Sequence, residues 1–568
     1  MRAPPVNWRG PESLVLVAFA ISIAIGFTWG LPGPDTWCAD SISPRSCGLG
    51  AIVETYWPGH FHTYPPLHMA LLTLLSLPWT GLAASRVGIH PDALGAELLK
   101  PLYMTGIEVG SRIVTGLMAL GVAYNTMRLW RRMAGRRVGV GAGAVLVANA
   151  TLVYYAHTGN LEVPYLFWVS WALVEIDRVA TGEPRETQAL MLATCAVLTK
   201  DQAAATLALP ILLFVVILPW RTRRVPLLRS ELRRGVLFSV VTYAAVSGAL
   251  VNPWGFRRRL AVLFGPASQT WAGYPSTFAG VLALARDCIL AVPHFGSWLL
   301  AALATVGIVL AAASTPRRLR MLLPLTAAVS FTLLFNLGAR RSEDRFLLPQ
   351  SVLLLPYASF ALERTWTAFS HDREERRRPG AWWAPALVIG TGAAALVPAL
   401  LGVVSLQATL HTDPRYTAEK FLATFPFGTP VEVYGSVKYL PRLPRGLVAI
   451  RPGVEPISER QLAAGVTELV DPALDPRRRA PALIVLATEL SNMESTRTLK
   501  VAPPYGATAY NDPISRSFLR GLQEGSLGYV RVLRARCALP WPLECRQIHG
   551  STGGELWIYA PAAGGVSP

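Results

Sequence analysis

Along most of this chain apolar residues come in long uninterrupted runs, not in the alternation of a half-buried strand or the stripe of a surface helix. A membrane-spanning helix needs about 20 such residues, fewer where it reaches only part way. Runs of this kind lie at about 12–31, 106–127, 138–156, 163–179, 187–199, 203–220, 235–252, 295–314, 321–337, 346–362 and 382–406. The pattern predicts a mainly α fold: a polytopic transmembrane helical bundle of about eleven spans. From Gln407 the pattern is that of a water-soluble domain. DPRYTAEKFLATF and ISRSFLRGLQEG read as helices, and VEVYGS, ALIVLAT, YVRVLRARC and ELWIYA as strands. The expected organisation is a membrane domain over 1–406 and an α/β or α+β domain over 407–568.

Between the first two spans lies a loop over 32–105, opening with the passage Leu31 to His68, the richest in acids, aromatics and prolines in the membrane part. A loop so long is functional or disordered more often than it is a mere connector. Its apolar segment 67–84 is long enough to count as a span. Counting it would reverse the sidedness of everything after it, so it is read as lying along or partly in the outer leaflet, with Pro65, Pro66 and Pro78 limiting its regular length.

Charge fixes the sidedness. The chain is 52% hydrophobic and only 15% charged, with a net charge of +18. That excess sits in short arginine clusters between apolar runs, at 128–137, 221–224, 316–320 and 373–378. Such clusters mark cytoplasmic loops, and without a basic face interleaved with aromatics they exclude a nucleic-acid partner. Arg2 and Arg9 precede the first apolar run and no small-residue cleavage pattern follows it, so it reads as an uncleaved signal anchor with a cytoplasmic N-terminus. The loop over 32–105 and the C-terminal domain then fall outside, as expected of a multi-pass protein of a bacterial inner membrane. The stretch 253–294 also falls outside; its arginines at 257–259 break the charge rule and read either as headgroup contacts or as guides for an anionic lipid substrate. Cys38 with Cys47 and Cys537 with Cys545 lie on the oxidising side, where bridges 38–47 and 537–545 are predicted.

Five runs in order, WCADSISP, TYPPLHMALL, AHTGNLEVPYLFW, AVLTKDQ and EDRFLLP, resemble the polytopic GT-C glycosyltransferases. The pattern is most similar to that of the family 39-like bacterial enzymes allied to protein O-mannosyltransferases and lipid A aminoarabinose transferases. The resemblance implies transfer of a sugar from a polyprenyl-phosphate donor to an acceptor glycan, lipid or protein on the outer face, without a cofactor. It maps the catalytic base onto Asp40, with Asp35 as the other candidate; many relatives carry Asp-Glu where this chain has Asp40-Ser41. The chemistry is consistent: a phosphate leaves without a general acid, so one carboxylate suffices as base for the acceptor hydroxyl.

Lys200 reads as a donor-phosphate partner or a lysine snorkelling from a helix end; before the C-terminal domain only Lys100 and Lys200 occur. Arg345 matches a late outer-loop arginine of the family, with Arg341 a weaker version; both bind phosphate in this reading, or balance Glu343 and Asp344. Glu162 orients Lys200 or touches the sugar, or is a carboxylate at a helix start. His62, Tyr64 and Trp37 read as sugar- or acceptor-binding, although aromatics also gather at membrane surfaces for their own reasons. His60, His62 and His68 lack metal-ligand spacing, so no metal is expected. Two rival functions remain: a secondary transporter, against which no internal repeat is found, and a non-catalytic membrane protein binding envelope components.

Overall fold

The computed structural model describes residues 10–33, 37, 48–218, 230–265, 272–314, 318–376, 383–434, 439–444, 446–452, 466–469, 479–486, 513–548 and 552–562. Asp35, Cys38, Asp40 and Cys47 lie outside the described residues. The chain is mainly helical, with a small mixed sheet near its C-terminal end. It divides into two compact units: Met1–Phe27, Arg45–Leu74 and Ser111–Val404 form one, and Thr28–Pro44, Leu75–Gly110 and Ser405–Pro568 the other.

Among the described residues five helices are long and apolar enough to cross a membrane: Pro66–Val87, Pro101–Ala134, Phe278–Phe295, Asp344–Phe369 and Pro385–Leu422. A sixth is reached if Arg136–Val147 and Ala150–Ala156, bent by 70° at their junction, count as one. The bend has a cause in the sequence, since Asn149 caps the second helix by accepting from Leu152 N–H at 3.0 Å and donates to Ser351 Oγ at 2.9 Å. Shorter apolar helices are Pro11–Ala24, Gln202–Ile217, Trp298–Ala313 and Leu323–Ala339.

Two segments differ from expectation. Pro66–Val87 is one helix of 22 residues that runs through Pro78 instead of ending near it; Pro66 costs nothing at a helix start, and an apolar helix tolerates an interior proline where other groups satisfy the freed carbonyl. Phe278–Phe295, in the stretch 253–294 expected to fall outside, is also apolar enough to cross.

Within the first unit arginines of the clusters at 128–137 and 316–320 are held by buried acids. Asp177, fully buried, accepts from Arg132 Nε at 2.8 Å and Arg320 Nε at 2.8 Å, and Glu12 accepts from Arg136. Near Pro210 the ladder is repaired by a side chain from another helix: Ser330 Oγ accepts from Leu209 N–H at 3.2 Å and donates to the Ala205 carbonyl at 2.5 Å. A π-helical turn, Ile211–Ile217, follows that point.

The sheet of the second unit has strands β1 Pro430–Tyr434, β2 Val448–Pro452, β3 Val466–Leu469, β4 Leu483–Leu486, β5 Tyr529–Ala535 and β6 Leu556–Pro561. Their order is β3-β2-β1-β4-β6-β5, parallel from β3 to β4 and antiparallel at β6 and β5. β4 reads LIVL because both of its faces are covered. Leu483 and Val485 join Ala418 and Leu422 of the helix Pro414–Leu422, while Ile484 and Leu486 join Phe518 and Leu522 of the helix Pro513–Gln523. β2 and β3 are absent from the sequence reading: VAIRP carries an arginine and a proline, and VTEL is only four residues long.

Candidate functional site

In the first unit the segment before the Pro66–Val87 helix is fixed by one residue, Asn252. Its amide nitrogen donates to the carbonyls of Thr55, Trp57 and His60 at 3.1, 2.7 and 2.8 Å. Its carbonyl oxygen accepts from Gly59 and Gly255 N–H at 3.0 and 2.9 Å, the second bond capping the helix Pro253–Phe264. Gly255 permits the approach, because a Cβ there would stand 1.8 Å from the His60 carbonyl oxygen.

This stitching frames a small recess lined by Thr55, Phe61, His62, Tyr64, Ser247 and Arg259, among others. Tyr64 N–H donates to His62 Nδ1 at 3.3 Å, and Ser247 Oγ is buried with no hydrogen-bond partner among the described residues. Arg259, itself buried, donates to the Thr63 carbonyl at 3.3 Å and pairs with Asp201. Burial pushes the Asp201 carboxyl above its ordinary range, against the pull of the Arg259 guanidinium.

Asp201 follows Lys200 at the break between the helices Glu186–Thr199 and Gln202–Pro210. Lys200 Nζ reaches back to Glu162 Oε2 at 2.5 Å, both side chains buried, and stands 5.7 Å from the Tyr165 ring centroid. The result is a string of alternating charge, Glu162, Lys200, Asp201 and Arg259, that ends at the recess. Glu162 Oε1, Asn160 Nδ2, Tyr165 Oη and Gln202 Oε1 are buried with no partner among the described residues. So many unmet polar atoms in one region mark a place for water or a polar ligand.

The other predicted residues fall as follows. Arg341 and Arg345 share the Glu343 carboxylate, at 2.8 and 3.4 Å, and lie over the Phe346 ring at 4.6 and 4.5 Å. His68 is buried, and neither ring nitrogen has a partner among the described residues. Trp37 belongs to the second unit, where it packs edge-on against Tyr416 at 4.8 Å and under the guanidiniums of Arg415 and Arg442 at 4.3 and 5.0 Å. Cys537 and Cys545 form a disulfide. Among the described residues no group of three or more His, Cys, Asp or Glu is placed to hold a metal ion.

Sequence reasoning passed over Asp201 and Asn252, and treated Arg259 only as one of three arginines in a row. Both omissions had a signal: an acid beside a lone lysine between apolar runs, and an Asn-Pro pair opening a helix.

These features define a class: a mainly helical membrane protein with several apolar helices, a buried charge network at a helix break and a small mixed sheet. Its structure is similar, at low identity, to those of GT-C membrane glycosyltransferases. ArnT from Cupriavidus metallidurans bound to undecaprenyl phosphate is 16% identical, with a TM-score of 0.45 over 86% of this chain and 95% of that one. The archaeal oligosaccharyltransferase AglB from Archaeoglobus fulgidus, in complex with an inhibitory peptide and a dolichol-phosphate, is 11% identical, with a TM-score of 0.45 over 97% and 88%. The arabinofuranosyltransferase AftD from Mycobacteria is 14% identical, with a TM-score of 0.40, and the match spans only 40% of its length. No protein-family model matches the chain, and no curated protein matches it.

Proposed function

We propose that the chain is an integral membrane glycosyltransferase of GT-C type, moving a sugar from a polyprenyl-phosphate donor to an acceptor glycan, lipid or protein on the extracytoplasmic side. The observation that supports this best is the string Glu162, Lys200, Asp201 and Arg259, buried except for a part-exposed Asp201, ending at a recess with His62 and Tyr64. Ionisable groups inside an apolar helical bundle are costly and are kept where they meet a substrate or an ion. Arg259 brings to such a recess a guanidinium, whose planar fork suits a phosphate; with Lys200, Arg345 and Arg341 it belongs to the set that receives the donor phosphate.

In this reading Asp40, or failing it Asp35, takes the proton of the acceptor hydroxyl while the lipid phosphate departs from the opposite face of the sugar, so the anomeric centre inverts. Cations near the departing phosphate stabilise its developing charge, and Glu162, His62, Tyr64 and Trp37 contact sugar or acceptor. The topology that goes with it has about eleven spans, the shorter apolar helices included. The N-terminus is cytoplasmic, the segment 67–84 lies along or partly in the outer leaflet, and the domain over 407–568 is extracytoplasmic on a bacterial inner membrane.

The test is transfer from a polyprenyl-phosphate sugar by the full chain in proteoliposomes. Asp40→Asn is expected to insert and fold as the parent does and to lose turnover by at least about a hundredfold, the scale of a general base. Turnover retained by Asp40→Asn and lost in Asp35→Asn would move the base to Asp35; turnover retained in both would remove the mechanism.

A further inference from the structure

Beyond β5 the chain makes a loop, CALPWPLEC, closed by the Cys537–Cys545 disulfide. From Ala538 to Leu543 it carries no charge, and its turn is closed by Leu543 N–H donating to the Pro540 carbonyl at 2.9 Å. Trp541 at the tip is 93% exposed. A large aromatic left in water on a cross-linked loop buries nothing for its own fold.

Three contacts fix how the loop runs beside the helix Trp383–His411 and the residue that follows it. Cys537 Sγ lies 3.8 Å from Thr412 Oγ1, Arg546 N–H donates to Thr409 Oγ1 at 3.0 Å, and Glu544 N–H donates to Ser405 Oγ at 3.2 Å. Positions 405, 409 and 412 lie on one side of a helix and span about 10 Å along its axis. The chain therefore enters at the level of Thr412, descends past the tip, and turns back at the level of Ser405. The descent is toward the apolar body of that helix, which belongs to the most apolar candidate span, with mean hydropathy 2.2. The sequence LLGVVSL over 400–406 is apolar, and Gln407 is the first strongly polar residue after it. The apolar stretch thus ends where the loop reaches lowest. Arg536 precedes the loop, Glu544 stands near its end and Arg546 follows it, an uncharged tip on stems of net positive charge that fits acyl chains below and headgroups beside them.

We propose that Cys537–Cys545 is a membrane-interface anchor, with Trp541 seated at the headgroup–acyl boundary of the bilayer that the Trp383–His411 helix crosses. Tryptophan favours that depth because its ring is apolar and its N–H is wet. The disulfide lowers the ordering cost of presenting it. Nothing in this depends on the transfer reaction.

The test places a benzophenone amino acid at 541 in the full chain, reconstituted in phosphatidylcholine–phosphatidylglycerol vesicles, irradiated and read by mass spectrometry. Val397, exposed on the same helix, serves as the lipid-facing control, and Glu524, exposed on the domain surface, as the aqueous one. Phospholipid adducts at 541 comparable to those at 397 and absent at 524 are expected, with loss of the 541 adduct in Leu543→Asp. Adducts to protein, whether a second copy or the same chain, would overturn the proposal. So would a lipid yield at 541 no higher than at 524.

Discussion

Asn252 ties much local structure together, since its two amide protons are shared among three carbonyls and its oxygen accepts from two N–H groups, from both sides of the recess. Asn252→Ala leaves these groups to find partners in a place with little water. The expected cost is about 3 kcal/mol, read as a lowered unfolding midpoint in detergent. Asn252→Asp keeps the acceptor and loses the donor, so it should fall between the parent and the alanine variant. A titration gives a second prediction in the C-terminal sheet. Tyr434 donates to the buried Glu432 at 2.7 Å, and burial followed by that carboxylate pushes its phenol well above the ordinary range. Tyr529, whose hydroxyl donates to the Pro481 carbonyl, is pushed up to about 12, burial again the first cause. Unfolded tyrosines ionise near pH 10. Above that the unfolded state loses protons the folded state keeps, so this stabilisation is complete below pH 10 and is lost as pH rises toward 12. Alkaline unfolding followed by circular dichroism should steepen above pH 10 in the parent and less so in Tyr529→Phe.

At the scale of elements, the clearest arrangement is the packing of the first-loop stem in the second unit. Trp29 Nε1 donates to Asp413 at 3.0 Å, Gly30 N–H donates to the Tyr416 hydroxyl at 3.1 Å, and Arg442 donates to the Pro32 carbonyl at 2.9 Å. Trp37 is sandwiched by Arg415 and Arg442, whose charges are balanced by Asp413 and Glu419. Arg442→Ala removes a stacked cation and a carbonyl partner together. Hydrogen exchange in the 28–33 backbone should accelerate by roughly tenfold, the equivalent of about 1.4 kcal/mol. Arg442→Lys keeps the charge without the flat guanidinium and should recover only part of the protection. Unchanged exchange in the alanine variant would show that Asp413, Arg415 and Tyr416 hold the stem without Arg442.

For the molecule as a whole, what was legible followed from patterns local in the chain. Apolar runs disclosed the long helices, and LIVL disclosed a strand buried on both faces. The break at Lys200 was visible as one lysine between apolar segments. The pairing of Lys200 with Glu162 was one of the readings open for Glu162; that Asp201 meets Arg259 was not legible, because 58 positions separate the partners and only packing joins them. Proline misled at Pro78, where the rule drawn from water-exposed helices met an apolar one. The bend at Asn149 escaped a hydropathy window because both of its arms are apolar.

The hydroxyl of Ser330, spliced between Ala205 and Leu209, has a mechanical consequence. A helix that completes its own ladder can swivel past a neighbour at the cost of side-chain contacts alone, whereas this one has lent a rung to the helix beside it. Gln202–Pro210 and Leu323–Phe331 are thereby coupled as one lever, and any breathing of the bundle that opened the recess would swing both arms together or break that rung.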